Sequence, residues 1–394
     1  MALEAVPIAE ISEAQLRALV EDEVPEGRGI DYKLTLPGTS VEDKKEFLAD
    51  VSSFANAGGG DIVFGLAESG GMPTGVPGLS DDLDEAMLRL ESSIRDGIAP
   101  RIQGVVSRPI NLGGGTKALV LRVPRSLSRP HVVVYKNHWK FHGRSSNGKH
   151  QMDVDEVRSA FVGSEAVAER VRAFRLERLG LPRSGDTPVL LPDGPRAVLH
   201  VLPLSAFDSP APSALDLEAG GQNALHALRG PGSGGTPRYN FDGLICEGRG
   251  EDGVEAYAQL FRAGGVEGVT VYPFAEESGR HVIAVDILER DMISALRNYL
   301  DLQRQLGAGP PTLVMLSLLG VRGYEIPNGS RRRHPPVDRD DLLVPETIIR
   351  EDDLAADQLR ADQVLQPAFN AVWNACGYPS SPNYRQDGRW AGGQ

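Results

Sequence analysis

Three consecutive glycines, Gly58-Gly59-Gly60, separate a helical pattern from a strand pattern, and this junction constrains the fold more than any other stretch. Before it, Phe47, Leu48, Val51, Phe54 and Ala55 recur at helical spacing, behind a cap at Ser40-Val-Glu-Asp43. After it, Asp61 to Ala67 reads as a buried strand. Glycines end the helix and let the helix and strand backbones approach closely. Asn56 is expected to cap the helix end or tie the turn, a structural task.

The flanking segments alternate in type. Ser12-Glu-Ala-Gln15 is a capping box, with Leu16, Leu19 and Val20 forming one apolar stripe of a helix to about Glu23. Ile30 to Leu36 is strand-like, and Asp81 to Ile94 is an amphipathic helix. Short strands are expected around residues 103–109, 118–123, 131–135 and 139–142, joined by tight turns. A helix over Asp153–Val162 precedes a separate linker helix over Glu165–Leu179. The chain of 394 residues is long enough for two domains. Pro182 to Pro188 marks the boundary, giving domains over residues 1–180 and 186–394. The second opens on the strand Ala197-Val-Leu-His-Val-Leu202 and has a long loop over Ser209–Pro237. It also holds a helix over about Arg290–Leu306, a small basic loop at Arg331-Arg-Arg-His, and a glycine-rich end expected to be a loose tail or a docking arm. His200 reads as a core histidine, and Trp373 as packing.

Several classes are excluded early. No apolar run approaches the ~20 residues of a membrane helix, and the first residues lack a signal peptide's pattern. Cys246 and Cys376 are the only cysteines, too few for a disulfide framework or a zinc cluster. A cytoplasmic location is expected. Gly143 to His150 has the spacing of a phosphate-binding loop, but His150 stands where a Ser or Thr should bind Mg²⁺. The glycines at 58–60 precede a strand, so they form no dinucleotide fingerprint.

Net charge is −13, against a protein that coats nucleic acid nonspecifically, but its distribution is uneven. From Gly97 to Met152 there is no Asp or Glu in 56 residues, although the chain holds 54 acids. The same window holds ten cations, among them Arg101, Lys136, Lys140, Arg144 and Lys149, with His142 and the aromatics Tyr135, Trp139 and Phe141 interleaved. Cations mixed with aromatics suit phosphate contact and base stacking. A blunted sheet edge is the plainer reading.

Four stretches then belong together: Glu26-Gly-Arg-Gly-Ile-Asp31-Tyr-Lys33, Phe54-Ala-Asn-Ala-Gly-Gly-Gly-Asp61-Ile-Val-Phe-Gly65, Glu68, and Phe141-His-Gly-Arg144-Ser-Ser-Asn147. Over residues 15 to 162 the chain resembles the Schlafen AlbA-type domain, a family of nucleic-acid-binding modules that includes metal-dependent endoribonucleases. The resemblance implies an α+β fold with helices on a mixed sheet, followed by a second mixed α/β domain whose fold it does not supply. It implies that Glu26, Asp31 and Glu68 hold Mg²⁺ or Mn²⁺, with Lys33 assisting at the phosphate. Asp61 and Glu46 are lesser candidates. Asp31 stands where the family usually has Glu, and Glu68 where Asp is common. Arg101, Lys136, Lys140, His142, Arg144, Asn147 and Lys149 would contact nucleic acid. The function implied is cleavage of structured RNA such as tRNA, in a stress or phage-defence setting, by a homodimer whose second copy supplies a second lobe. A non-catalytic DNA-binding regulator and a partner-binding adaptor are the alternatives.

Overall fold

The computed structural model describes residues 3, 6–126, 128–137, 139–207, 217, 224–228, 235–250, 253–327, 334–350, 353 and 360–392. The basic loop at residues 331–333, His138 and most of the 209–237 loop lie outside the described residues. The chain divides into two units, Met1–Glu169 with Arg350–Gln358, and Arg170–Ile349 with Leu359–Gln394.

In the first unit α1 (Glu13–Glu21) starts at the capping box of Ser12 and Gln15. It leads to β1 (Ile30–Lys33) and α2 (Val41–Asn56), where the Ser40 side chain accepts the Asp43 N–H at 3.0 Å. Next come β2 (Gly59–Phe64), β3 (Ala67–Ser69), β4 (Met72–Gly75) and α3 (Leu83–Gly97). The remaining strands are β5 (Ile98–Ala99), β6 (Val106–Asn111), β7 (Lys117–Pro124), β8 (Val132–Val133), β9 (Lys140–Ser145) and β10 (Gly148–Gln151). One sheet has the order β1-β2-β7-β6 and is mixed, because β1 and β2 run parallel while β2, β7 and β6 are antiparallel. A second sheet has the order β10-β9-β8-β5.

The pleat sorts the mixed sheet's side chains between two cores. Ile62 and Phe64 of β2 join Leu119, Leu121 and Val123 of β7 under α2 and α3. Val63, Ala118 and Val120 face the other way, onto Leu16 and Leu19 of α1 and the N-terminal Ile8 and Ile11. The helix–glycine–strand junction works as its sequence demands. A Cβ on Gly60 (φ +151°) would lie 2.4 Å from the Phe54 ring and 2.6 Å from the Gly29 carbonyl. Gly58 has no such neighbour.

One long helix, α4 (Val154–Ser184), replaces the two expected helices, and the division between units falls inside it at Glu169/Arg170 instead of near Pro182. Gly163 costs a helix interior only about 1 kcal/mol, too little to break it, and Pro182 sits in the last turn.

The second unit contains β11 (Arg196–Pro203), β12 (Arg238–Tyr239), β13 (Gly243–Gly250), β14 (Gly253–Phe261), β15 (Val266–Thr270), β16 (Phe274–Glu277) and β17 (Arg280–Ile283). These are followed by α5 (Val285–Gln305), β18 (Thr312–Leu319), β19 (Asp341–Leu343), β20 (Thr347–Ile349) and α6 (Ala361–Ala375). An antiparallel sheet of order β12-β13-β14-β15-β11-β18-β19 forms its centre, with β20 also on β18. His200 is a core histidine: its Nε2 lies 3.0 Å from Glu267, which also pairs with Arg178 at 2.7 Å and Tyr257 at 3.0 Å. Burial raises the cost of that carboxylate, but Arg178 and His200 hold it down at about 2.

The C-terminal segment is a docking arm. Buried Glu289 of α5 accepts hydrogen bonds from Trp373 (2.8 Å), Ser381 (2.8 Å), Asn383 (2.8 Å) and Trp390 (2.7 Å).

Candidate functional site

The end of β1, the inner face of α2 and the β9–β10 hairpin bring six charged groups into one chain of contacts. Asp31 and Lys33 are two apart on β1 and so share a face; their charged atoms lie 3.0 Å apart. The other Asp31 oxygen is 3.0 Å from Arg144 of β9. Lys33 also reaches toward Asp50 of α2 at 3.8 Å, and Asp50 pairs with Lys149 of β10 at 2.8 Å. Lys149 closes the chain on Glu46, one helical turn from Asp50, at 2.5 Å.

Glu26 abuts this chain. Its carboxyl accepts the Tyr32 N–H at 2.7 Å, and burial, then a hydrogen bond shared with Asp31, push it up to about 7. Burial works against an ionised Asp31, yet Glu26, Lys33 and Arg144 together hold it below the ordinary carboxylate range. Asp50 is raised, chiefly by burial, despite its two lysines. The arrangement is thus an acid held above its ordinary range beside one held below it, with cations alongside.

Glu68 lies apart from Asp31. It sits on β3 and accepts the Gly71 N–H at 2.7 Å, while Gly71 in turn accepts the Glu26 N–H at 2.7 Å. Glu26 and Glu68 therefore converge on one hairpin turn, but Asp31 is turned toward its cations. Among the described residues no three His, Cys, Asp or Glu side chains are placed to hold a metal ion. In this arrangement Glu26, Asp31 and Glu68 do not fit a divalent ion, because Asp31's oxygens face Lys33 and Arg144 and Glu68 binds its own turn. Asp61 is likewise committed, to a bidentate pair with Arg122 at 2.8 and 2.9 Å, fully buried.

The basic window separates into inward and outward groups. Arg144 is buried: beyond Asp31 it donates to the Gly27 carbonyl at 2.6 Å and stacks 3.9 Å from the Phe54 ring. His142 is buried too, its carbonyl accepting from Asn56. Neither is on the exposed face expected of it. Arg108 and Arg129 donate to backbone carbonyls, and Lys149 is bound in the charge chain. Asn147 is exposed in the β9–β10 turn, where its N–H donates to Ser145 at 3.2 Å.

Lys136 and Trp139 are exposed on the connection between β8 and β9, and Lys140 is exposed at the start of β9, with Trp139 71% accessible. Lys136 has φ 51°, a left-handed conformation that costs a non-glycine residue on the order of 1 kcal/mol. No hydrogen bond or ion pair engages its side chain or that of Lys140 among the described residues. Arg101 is exposed as well, but Ile98 pairs with Val133 and Ala99 with Val132, so the chain leaves that pair toward Arg101 and toward Lys136 in opposite directions. Asn56 fastens the base of the β8–β9 hairpin. It donates to the His131 and His142 carbonyls at 2.9 Å each and accepts the His131 N–H at 2.6 Å. Its role is structural, but the expected helix cap or turn tie is replaced by a clasp on strands far away in sequence.

Residues 26–153 match the family described as Schlafen, AlbA_2, so the N-terminal part of the chain is similar to the Schlafen AlbA-type domain. The second unit is left unassigned by that match. Among solved structures, the N-terminal domain of a RecG-related protein from Nitrosomonas europaea, titled as an ATP-dependent DNA helicase relative, is 21% identical. It covers 32% of this chain and 81% of its own, with a TM-score of 0.26. The DIP2311 protein from Corynebacterium diphtheriae is 19% identical over 36% of this chain, with a TM-score of 0.24; the match spans 27% of that protein. At these TM-scores neither likeness bears on the site. No curated protein matches. Among the described residues no helix is long and apolar enough to cross a membrane.

Proposed function

We infer that the first unit is a nucleic-acid-binding domain that grips the phosphate backbone and stacks on bases through the β8–β9 connection. The observation that carries this reading is Trp139, exposed between Lys136 and Lys140, neither of which has a counter-ion among the described residues. Lysines draw the polyanion, and base–indole stacking adds about 1–3 kcal/mol without sequence preference. The charge chain behind the hairpin orders β1, α2 and β9, its cations pairing with neighbouring acids. RNA is the polynucleotide the family resemblance favours, and a second copy of the chain as the other lobe belongs to the same reading. Cleavage is a finer reading, which the Glu26–Asp31 pair beside Lys33 supports and the dispersed third acid does not. Binding is therefore the function the geometry supports best.

The test is fluorescence anisotropy with labelled single-stranded RNA and DNA across a salt series. Wild type should bind with a strong salt dependence, and Trp139→Ala should weaken binding at every salt concentration. Equal affinity of wild type and Trp139→Ala refutes the stacking role. RNA cleavage that requires Mn²⁺ and is lost in both Glu26→Gln and Glu68→Gln would move the protein to the catalytic reading. Light scattering of a stable monomer at micromolar concentration would refute the homodimer.

A further inference from the structure

The loop after β1, the exposed edge of α2 and the floor of β2 enclose a cleft of about 250 Å³ that phosphate contact does not use. Phe47, Phe64 and Leu36 supply apolar surface, while Lys33, Asp50 and Glu46 bring charge to the same space. Phe47 and Phe64 form a tilted pair, ring centroids 6.4 Å apart. The volume is slightly below the ~300–1,000 Å³ of sites for drug-sized ligands, so a single planar group suits it better than a larger molecule.

The polar atoms form a narrow pattern. Asp50 Oδ1 is taken by Lys149 at 2.8 Å, but Oδ2 lies 3.8 Å from Lys33, too far for a hydrogen bond. That oxygen keeps acceptor capacity. Lys33 spends one N–H on Asp31 at 3.0 Å, and an ammonium has three, so a donor remains. The side chain of Lys33 is 36% exposed and that of Asp50 5%, which puts the donor at the mouth and the acceptor deeper. A ligand must therefore offer an acceptor beside one or more donors, along the edge of a flat apolar ring.

We propose that this cleft takes one unstacked nucleobase, guanine by preference, from the strand held at the β8–β9 hairpin. The proposal rests on the nucleic-acid-binding reading above. Guanine places its O6 acceptor next to the N1–H and N2–H donors, so Lys33 meets O6 while Asp50 accepts from the edge beside it. Uracil, cytosine and adenine each give a carboxylate fewer adjacent donors. Base recognition of this kind pairs Watson–Crick-edge hydrogen bonds with packing on apolar side chains. The cleft and the hairpin are neighbours: Lys44, next to Asp43 on α2, lies 6.0 Å above the Tyr135 ring.

The test uses the full chain and labelled single-stranded oligouridylate, either plain or carrying one central guanosine or inosine. A well-formed edge contact discriminates by about 1–3 kcal/mol, so the guanosine strand should bind about tenfold tighter than the plain one. Inosine, which lacks the 2-amino group, should fall between them. Asp50→Asn should bring the ratio of guanosine to plain strand to one. Because Asp50 is buried and paired, Thr35→Trp is a second variant: an exposed loop substitution at the cleft that should erase the ratio by filling the space. Equal affinity of the guanosine and plain strands in wild type overturns the base cleft while leaving the nucleic-acid-binding reading intact. A guanosine preference untouched by both substitutions also overturns it. No binding of any strand at low salt removes both together.

Discussion

Replacing Arg144 by alanine separates a scaffold role from a phosphate-contact role more sharply than any other single change. The side chain is 2% exposed, lies 3.0 Å from Asp31, and donates to the Gly27 carbonyl at 2.6 Å. Truncation strips a buried carboxylate of one of its two cations and leaves a carbonyl without its donor. Breaking a buried pair from one side costs about 3–5 kcal/mol. At about 1.4 kcal/mol per decade, the amides of β1 and β2 should lose about two to three and a half powers of ten in hydrogen-exchange protection. Peptide-resolved exchange is the right assay because it reads opening locally, whereas a chain of two units need not unfold in one step. Arg144→Lys should fall between, since an ammonium keeps the charge but loses the planar fork. Lys140→Ala should leave the same amides unchanged while weakening RNA. A loss of less than tenfold in Arg144→Ala would refute the scaffold role and return the guanidinium to the ligand.

The double substitution Lys136→Ala/Lys140→Ala should reduce the slope of log affinity against log salt by about 1.4 on single strands, measured by anisotropy; an unchanged slope clears both lysines. Glu26, raised to about 7 from an ordinary 4.5, contributes stability that is complete below the lower value and is lost as pH rises through the upper one. Exchange protection of β1 should therefore decline across that window in wild type but stay flat in Glu26→Gln; parallel profiles would show that Glu26 titrates normally. In the second unit, Glu289→Ala leaves four donors without their acceptor, for a loss of about 3 kcal/mol or more, and should expose the segment after α6 to limited proteolysis. Resistance equal to wild type would mean the arm is held by packing alone.

The sequence made some of this legible and hid the rest for identifiable reasons. Helix, glycines and strand from Phe47 to Phe64 follow from local rules, since capping, apolar period and close approach all act within a few residues. The acid-free window was legible as a tract but not in its division, because a count of charges ignores which way a strand residue points. On β7, Ala118, Val120 and Arg122 share one face, and the first two are core; period-two reasoning would have turned Arg122 inward toward an acid such as Asp61. Asp50 carried a similar signal, as an acid among Phe47, Leu48, Ala49 and Val51 on the inner side of α2. Arg144 gave no such sign: its burial depends on strands β1 and β9 meeting across more than a hundred residues. The docking arm was hidden in the same way, since its tryptophans find Glu289 only through tertiary contact.

Asn56 has a consequence for how recognition by this domain can change. One amide clasps both strands of the hairpin at its root, while Val134 bonds to Gly97 and Tyr135 packs on the core, so freedom to vary begins at Lys136. The tip is an interchangeable head on a fixed stem. Its length and chemistry can be rewritten, by selection or by design, without renegotiating the core, and two proteins built on this stem can differ in the strand they hold while folding alike.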